Sequence, residues 1–276
     1  MNASDFLPVE FNVASWFVDR PVAEGRGRAP AFHCEDRVLT YGDVQDLANR
    51  TGNALREVGV EMEHRVLLLC LDTPEFLGAF WGAIKIGAIP VPVNTLMRAA
   101  DYRYFLEDSR ARVAVISAPL LAEAMPALPG PPHLRHVLVA GGAPGSYLSF
   151  EDRVARAAST LDAAPTSRDD VAFWLYSSGS TGRPKGAVHL QHDMVVSAET
   201  YAKQVLGLRP TDKVYSAAKL FFAYGLGNAG YFPMSVGAES VLSPHRPTPD
   251  AVFDLLTRHR PTIFFGVPTL YAAMLA

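Results

Sequence analysis

Ten consecutive residues hold most of the chemistry available to this 276-residue chain: Ser177-Ser178-Gly179-Ser180-Thr181-Gly182-Arg183-Pro184-Lys185-Gly186. Four hydroxyls, three glycines and one lysine stand together there. Glycines admit positive φ and let backbone N–H groups come close to an anion, hydroxyls donate further hydrogen bonds, and Lys185 adds a full positive charge. That is an inventory for holding phosphate. The run is not a Walker A loop, because Lys185 follows Pro184 and precedes Gly186 rather than Ser or Thr, so kinase or GTPase chemistry is disfavoured. A Ser-, Gly- and Pro-rich surface turn has the same composition, and the elements around the run must separate the two.

Immediately before it, Val171 to Tyr176 reads as a buried strand. Upstream, Thr40 is placed to cap a helix carrying Val44, Leu47, Ala48, Thr51, Leu55 and Val58, with Gly59 as its stop. Arg65 to Leu71 is a short apolar run. Thr73 and Pro74 open a second helix, which ends near Gly87. Ala88 to Val93, Val113 to Ser117 and His136 to Ala140 read as strands, with Asp101 to Arg110 and Leu120 to Ala127 helical between them. Downstream, the pattern predicts helices over Met194 to Leu206 and Pro249 to His259, and strands over Lys213 to Ala217, Ser240 to Leu242 and Thr262 to Phe265. Continuous apolar strands separated by helical crossovers predict an α/β fold whose parallel sheets are covered on both faces, with ligands at the carboxyl ends of strands.

Composition removes several other classes. With 49% hydrophobic residues the chain can bury a core, and a net charge of −3 leaves no basic field for nucleic acid or an anionic membrane. No apolar stretch is long enough to span a bilayer, and the Met1 to Glu10 segment has no signal-peptide character. The two cysteines, Cys34 and Cys70, make neither a disulfide framework nor a metal knuckle, so a cytoplasmic protein is expected. His189 and His192 lie three apart, but apart from Asp193 no third ligand stands at metal spacing; His192 and Asp193 read better as the start of a helix. Asp72, Asp101 and Asp108 read as helix-end or surface charges. Gly225-Leu226-Gly227-Asn228-Ala229-Gly230 matches the dinucleotide fingerprint formally, but it lacks a preceding strand and an acid at the required distance.

The run Tyr176 to Gly186 resembles the phosphate-loop signature of the adenylate-forming superfamily, which includes acyl-CoA synthetases, luciferases and nonribosomal adenylation domains. Gly82 to Val93 is similar to a second element of that family, and Thr40-Tyr41 opens a helix as in its members. Lys219-Leu220-Phe221-Phe222-Ala223-Tyr224-Gly225 resembles the family's acyl-substrate element, with Phe222 where many members have His. The resemblance implies two half-reactions. A carboxylate attacks the α-phosphate of ATP to give acyl-AMP and pyrophosphate, and a thiol, that of coenzyme A, then takes the acyl group. It carries over Ser177, Ser178, Gly179, Ser180, Thr181, Gly182 and Lys185 as ATP contacts, Lys185 as the catalytic lysine of the loop, and a histidine at the His189–His192 point beneath it. It also carries over Phe222, Ala223 and Tyr224 as the wall for an aryl ring, as in the benzoate-CoA ligase branch. A small Ala between Phe and Tyr makes a flat apolar slot, suited to a planar ring, although ordinary core packing would use the same residues. Gly266-Val267-Pro268-Thr269 is similar to a segment bordering the acyl pocket, or is a tight turn.

Carried-over topology implies two doubly wound parallel-sheet subdomains of an N-terminal domain: residues 56–201 with the phosphate loop, and residues 1–55 with 202–276 on the acyl side, the second incomplete. The ribose-binding acid, the Glu for Mg²⁺ and the lysine of a C-terminal lid domain that the resemblance calls for are not in this chain. An aryl-CoA ligase truncated to its N-terminal part is therefore the leading expectation, inactive alone; the alternatives are a medium-chain acyl-CoA ligase and a non-catalytic nucleotide- or acid-binding fragment. The expected partners are a small carboxylate, ATP and the protein's own C-terminal domain.

Overall fold

The computed structural model describes residues 6–177 and 182–276. Twelve strands among these residues form two five-stranded sheets and one two-stranded ribbon. The first sheet holds β1 (Pro30–Cys34), β2 (Arg37–Thr40), β10 (Lys213–Ser216), β11 (Glu239–Leu242) and β12 (Ile263–Phe265), in the order β12-β10-β11-β1-β2. All its pairs are parallel except β1–β2, which is an antiparallel hairpin. The second holds β3 (Arg65–Leu69), β4 (Ile89–Pro92), β5 (Val113–Ser117), β6 (His136–Ala140) and β7 (Leu148–Ser149), all parallel, in the order β4-β3-β5-β6-β7. Pro90 and Pro92 donate no N–H, which suits β4 to its place at the edge of this ladder. The ribbon pairs β8 (Val171–Ser177) with β9 (Lys185–Leu190) antiparallel.

Strand alternation divides the second sheet between two cores. Val66, Leu68, Val113, Val115 and Leu138 point into the large core shared with the first sheet, where Phe32, Val214 and Leu242 lie. Their neighbours Leu67, Leu69, Ala114, Ile116 and Val139 point to the opposite face, covered by Tyr102, Phe105 and Leu106 of one helix, Ala99–Ser109. Both faces are apolar, so the strands read as unbroken hydrophobic runs.

On the large-core side two helices pack together. Helix α1 (Tyr41–Glu57) is capped by Thr40, whose hydroxyl accepts from the Asp43 N–H at 3.1 Å while the Asp43 carboxylate accepts from the Thr40 N–H at 2.8 Å. Helix α2 (Pro74–Lys85) has Pro74 in its first turn, and every residue but Glu75 is buried. The pair meet at glycines: a Cβ on Gly82 would lie 2.8 Å from both the Ala48 carbonyl oxygen and the Gly52 nitrogen, so only glycine permits this approach. The third helix, α3, is Ala99–Ser109.

Four sequence expectations change. The α/β fold with two parallel sheets is as expected, except that β1–β2 is an antiparallel hairpin within the first sheet and β8–β9 forms a separate antiparallel ribbon. Leu120 to Ala127 is a chain of short turns, Ala118–Leu120, Leu121–Ala124 and Met125–Ala127, broken where Pro119 and Pro126 remove backbone donors. The helix expected from Met194 begins at Asp193 and widens to π-type winding over Ala198–Val205. Asp72 is not a surface charge: it is 5% exposed.

Candidate active site

The phosphate-loop candidate connects the two strands of the β8–β9 hairpin. Ser177, the last residue of β8, pairs with Lys185, the first of β9, and Tyr176 pairs with Gly186. Both Ser177 and Lys185 are exposed. Gly182 has φ +114°, a conformation L-residues rarely adopt. The four remaining ATP-contact residues, Ser178, Gly179, Ser180 and Thr181, lie outside the described residues.

Helix α3 meets both stems of this connection. The Tyr176 hydroxyl donates to the Asp108 carboxylate at 2.6 Å, and the Tyr176 ring packs on Phe105 with centroids 4.5 Å apart. Burial, followed by the adjacent Asp108 carboxylate, raises the Tyr176 phenol far above its ordinary pKa, so it stays a donor. On the returning side, the Tyr104 hydroxyl donates to the Pro184 carbonyl at 2.9 Å, and the Arg183 guanidinium lies 5.3 Å over the Tyr104 ring. The sequence marks Asp108 only as a helix-end or surface charge and does not single out Tyr104 or Phe105; their partners are 68 to 80 residues away, beyond any local pattern.

A cleft of about 460 Å³ opens beside the stems. Tyr176, Ser177 and Pro184 line it together with His189, Phe221, Phe222 and Ala223. Phe222 is 46% exposed and tilts against Phe221 at 4.4 Å. The acyl-element candidate therefore shares one space with the loop stems. Tyr224 does not line the cleft: its hydroxyl points to the Gly266 carbonyl at 3.5 Å, and its ring meets Phe265 edge-on. Gly266 in turn donates its N–H to the Tyr271 hydroxyl at 3.0 Å, so this segment is at least a packed turn.

Asp72, just beyond the carboxyl end of β3, ties the acyl-element candidate in place. Its carboxylate accepts from the Leu220 N–H at 3.1 Å and stands 3.8 Å from the Lys219 ammonium, which also donates to the Ser243 and His245 carbonyls at 2.6 and 2.7 Å. Burial pushes the Asp72 carboxyl up to about 6, against the opposing pull of Lys219 and the Leu220 N–H. No sequence signal at Asp72 announced this, because its partners lie about 148 positions on.

The two histidines both approach the Asp193 carboxylate, at 3.6 Å for His189 and 3.2 Å for His192, but differ in their other contacts. His189 stacks on Phe173 at 4.5 Å and 7° and borders the cleft, whereas His192 turns to the Arg168 carbonyl and to Asp169. Among the described residues no group of three or more His, Cys, Asp or Glu is arranged to hold a metal ion. The fingerprint-like glycines are helical and buried; a Cβ on Gly227 would lie 2.9 Å from the Phe232 ring, so they serve packing. No helix among the described residues is long and apolar enough to cross a membrane.

The fold is an α/β framework in which a glycine- and hydroxyl-rich connection follows the carboxyl end of β8, with a cleft beside its stems. Residues 20–276 match the model of the AMP-binding enzyme family, and the chain belongs to that family. It is 49% identical over 267 residues to a 4-hydroxybenzoate–CoA/benzoate–CoA ligase of Rhodopseudomonas palustris, covering 97% of this chain and 49% of that protein. It is likewise 49% identical to a benzoate–CoA ligase of Thauera aromatica, covering 98% and 51%. Its fold superposes on a benzoate CoA ligase from Burkholderia xenovorans LB400 with a TM-score of 0.88 at 43% identity, over 96% of this chain and 52% of that one. The chain thus spans about half the length of the curated relatives it matches.

Proposed function

We propose that the full-length protein activates a benzoate-like aromatic carboxylate with ATP as acyl-AMP and transfers the acyl group to coenzyme A. The observation that carries this reading is the shared cleft: the stems of the candidate phosphate loop, Ser177 and Pro184, and the apolar residues Phe221, Phe222 and Ala223 face one space. Its volume falls within the range of small-molecule sites. A ring lying against Phe222 and Ala223 directs its carboxylate toward the loop. There a carboxylate oxygen attacks the α-phosphorus, the bond to pyrophosphate breaks, and the thiol of coenzyme A later displaces AMP at the acyl carbon. In this reading Ser177, Ser178, Gly179, Ser180, Thr181 and Gly182 hold the β- and γ-phosphates by N–H and hydroxyl donors, and Lys185 offsets charge on the departing pyrophosphate. Phe222, Ala223 and Tyr224 form the wall for the ring in this reading, Tyr224 from its place beside the Gly266 carbonyl. The benzoate and hydroxybenzoate specificity of the relatives supports the choice of acid.

We also read residues 56–201 as one subdomain and residues 1–55 with 202–276 as a second, incomplete one. The strands support this division, since β3 to β9 fall in the first and the others in the second. A C-terminal lid domain would complete the full-length protein, and the described residues provide no ligand set for the Mg²⁺ that the resemblance implies. The proposed setting is the cytoplasm, in the breakdown of aromatic acids. Both cysteines are free and buried, and burial pushes the Cys34 thiol up to about 12, as suits a chain that uses no disulfide.

The test is pyrophosphate exchange by the full-length product across benzoate, hydroxybenzoates and alkyl carboxylates. Fastest exchange with benzoate-like acids is expected; faster exchange with hexanoate would overturn the aryl assignment and leave adenylation standing.

A further inference from the structure

Helix α3 carries Tyr104 and Asp108 one turn apart on one face, and each reaches a different stem of the same connection. Tyr104 bonds the Pro184 carbonyl on the returning side, and Asp108 receives the Tyr176 hydroxyl on the outgoing side. We propose that Tyr104 and Asp108 are positioning residues for ATP, a two-point brace that fixes where the stems at Tyr176–Ser177 and Arg183–Lys185 present their phosphate contacts. The proposal rests on the reading of this connection as a phosphate loop.

Three observations separate a brace from ordinary packing. First, the Pro184 carbonyl lies outside β9, which begins at Lys185, so the Tyr104 bond fixes backbone that the strand does not include. Second, Asp108 sits in the last turn of α3, beside Glu107 and with no basic residue in that turn, where a carboxylate opposes the helix dipole. The helix is better off without an acid at this position, and the compensating contact is the Tyr176 hydroxyl. Third, both contacts flank the cleft rather than the far end of the ribbon: Tyr176 and Pro184 line it, and so does Phe105, the α3 residue between the two brace positions. Stiffening the stems pre-organises the donors, which strengthens ATP binding by reducing the ordering needed when it binds.

The experiment compares Tyr104→Phe, Tyr176→Phe, Asp108→Ala and Asp108→Asn in the full-length protein. It reads the ATP dissociation constant by calorimetry without acid, the KM values for ATP and benzoate in pyrophosphate exchange, and the thermal midpoint. Tyr104→Phe, Tyr176→Phe and Asp108→Ala are expected to weaken ATP binding by about three- to tenfold, with KM for benzoate within about twofold of wild type and the midpoint unmoved. Asp108→Asn keeps an acceptor oxygen and should restore most of the affinity lost in Asp108→Ala. Combining Asp108→Ala with Tyr176→Phe should cost no more than either alone. Equal losses for ATP and benzoate, unchanged ATP affinity, or an Asn variant as poor as Ala would overturn the brace. If Asp108→Ala does not fold, the two Tyr→Phe variants, each lacking a single oxygen, carry the comparison. A wild-type protein that binds no ATP overturns the loop reading and the brace with it, whereas normal ATP affinity in the variants of an ATP-binding protein overturns the brace alone.

Discussion

Helix α2 and strand β9 place their residues by opposite means. Eleven of the twelve residues of Pro74–Lys85 are buried, while none of the six in Lys185–Leu190 is. The helix is located by what it excludes from water: Trp81 meets Phe80 and Phe17, and Gly82 lets α1 approach to backbone contact. The strand gains little from burial, so its position comes from pairing with β8 and from the hydrogen bonds and ring contacts that α3 makes to the stems. Groups that must meet a charged ligand have to remain accessible, and directional contacts then hold them.

That contrast predicts a split between stability and activity. The largest effect belongs to Trp81→Ala, which removes a side chain 1% exposed; a loss of about 3–5 kcal/mol in unfolding free energy is expected from chemical denaturation. Lys185→Ala should leave unfolding within about 0.5 kcal/mol of wild type, since the residue is exposed. In the full-length protein it should still lower kcat/KM for ATP roughly ten- to hundredfold, the worth of a charge-assisted phosphate contact. Equal stability losses at the two positions would erase the distinction.

Ala223→Leu should come next, at about 1–3 kcal/mol in the specificity constant for benzoate, because added carbons intrude where Ala223 lines the cleft. Hexanoate, which can bend, should lose less. An unaltered ranking of benzoate, its methyl derivatives and hexanoate would remove Ala223 from the acid's wall. The smallest effect concerns pH. Asp72 titrates in the folded chain near 6 rather than at its ordinary 3.8, so between those values the folded state holds the extra proton. Its contribution to stability is therefore greatest below about pH 4 and is lost as pH rises through 6. Measured against Asp72→Asn, wild-type stability should decline across that window and level off above it; a difference that rises with pH would reverse the assignment.

Much of the framework was legible because it is written in local signals. Thr40 with Asp43, Pro74 after Thr73, and Thr248 before Pro249 mark helix starts within four residues of one another, and unbroken apolar strands imply two covered faces. The candidate site was legible where one segment carries its residue types, at Ser177 to Lys185. It was not legible where contacts join distant segments. Asp72 looks like any helix-flanking acid until Leu220 reaches it, and Tyr104 looks like one more aromatic on α3 until Pro184 arrives. Tyr224, carried over by the resemblance as part of one wall with Phe222 and Ala223, stands apart from them here: the chain enters a helical turn at Ala223 and the Tyr224 hydroxyl lies 3.5 Å from the Gly266 carbonyl. Strand β9 was missed because its ladder supplies the pairing that its short, exposed sequence does not advertise.

Gly182 bears a consequence for the handedness of the loop. Its φ of +114° is unfavourable for an L-residue, yet a Cβ built there meets no atom of the described residues within 4 Å. Among the described residues, the penalty for L-alanine at this position is thus one of chirality rather than of crowding. By mirror symmetry a D-residue reaches that φ as readily as an L-residue reaches −114°. Gly182 serves here as an achiral stand-in for an amino acid that the ribosome does not supply.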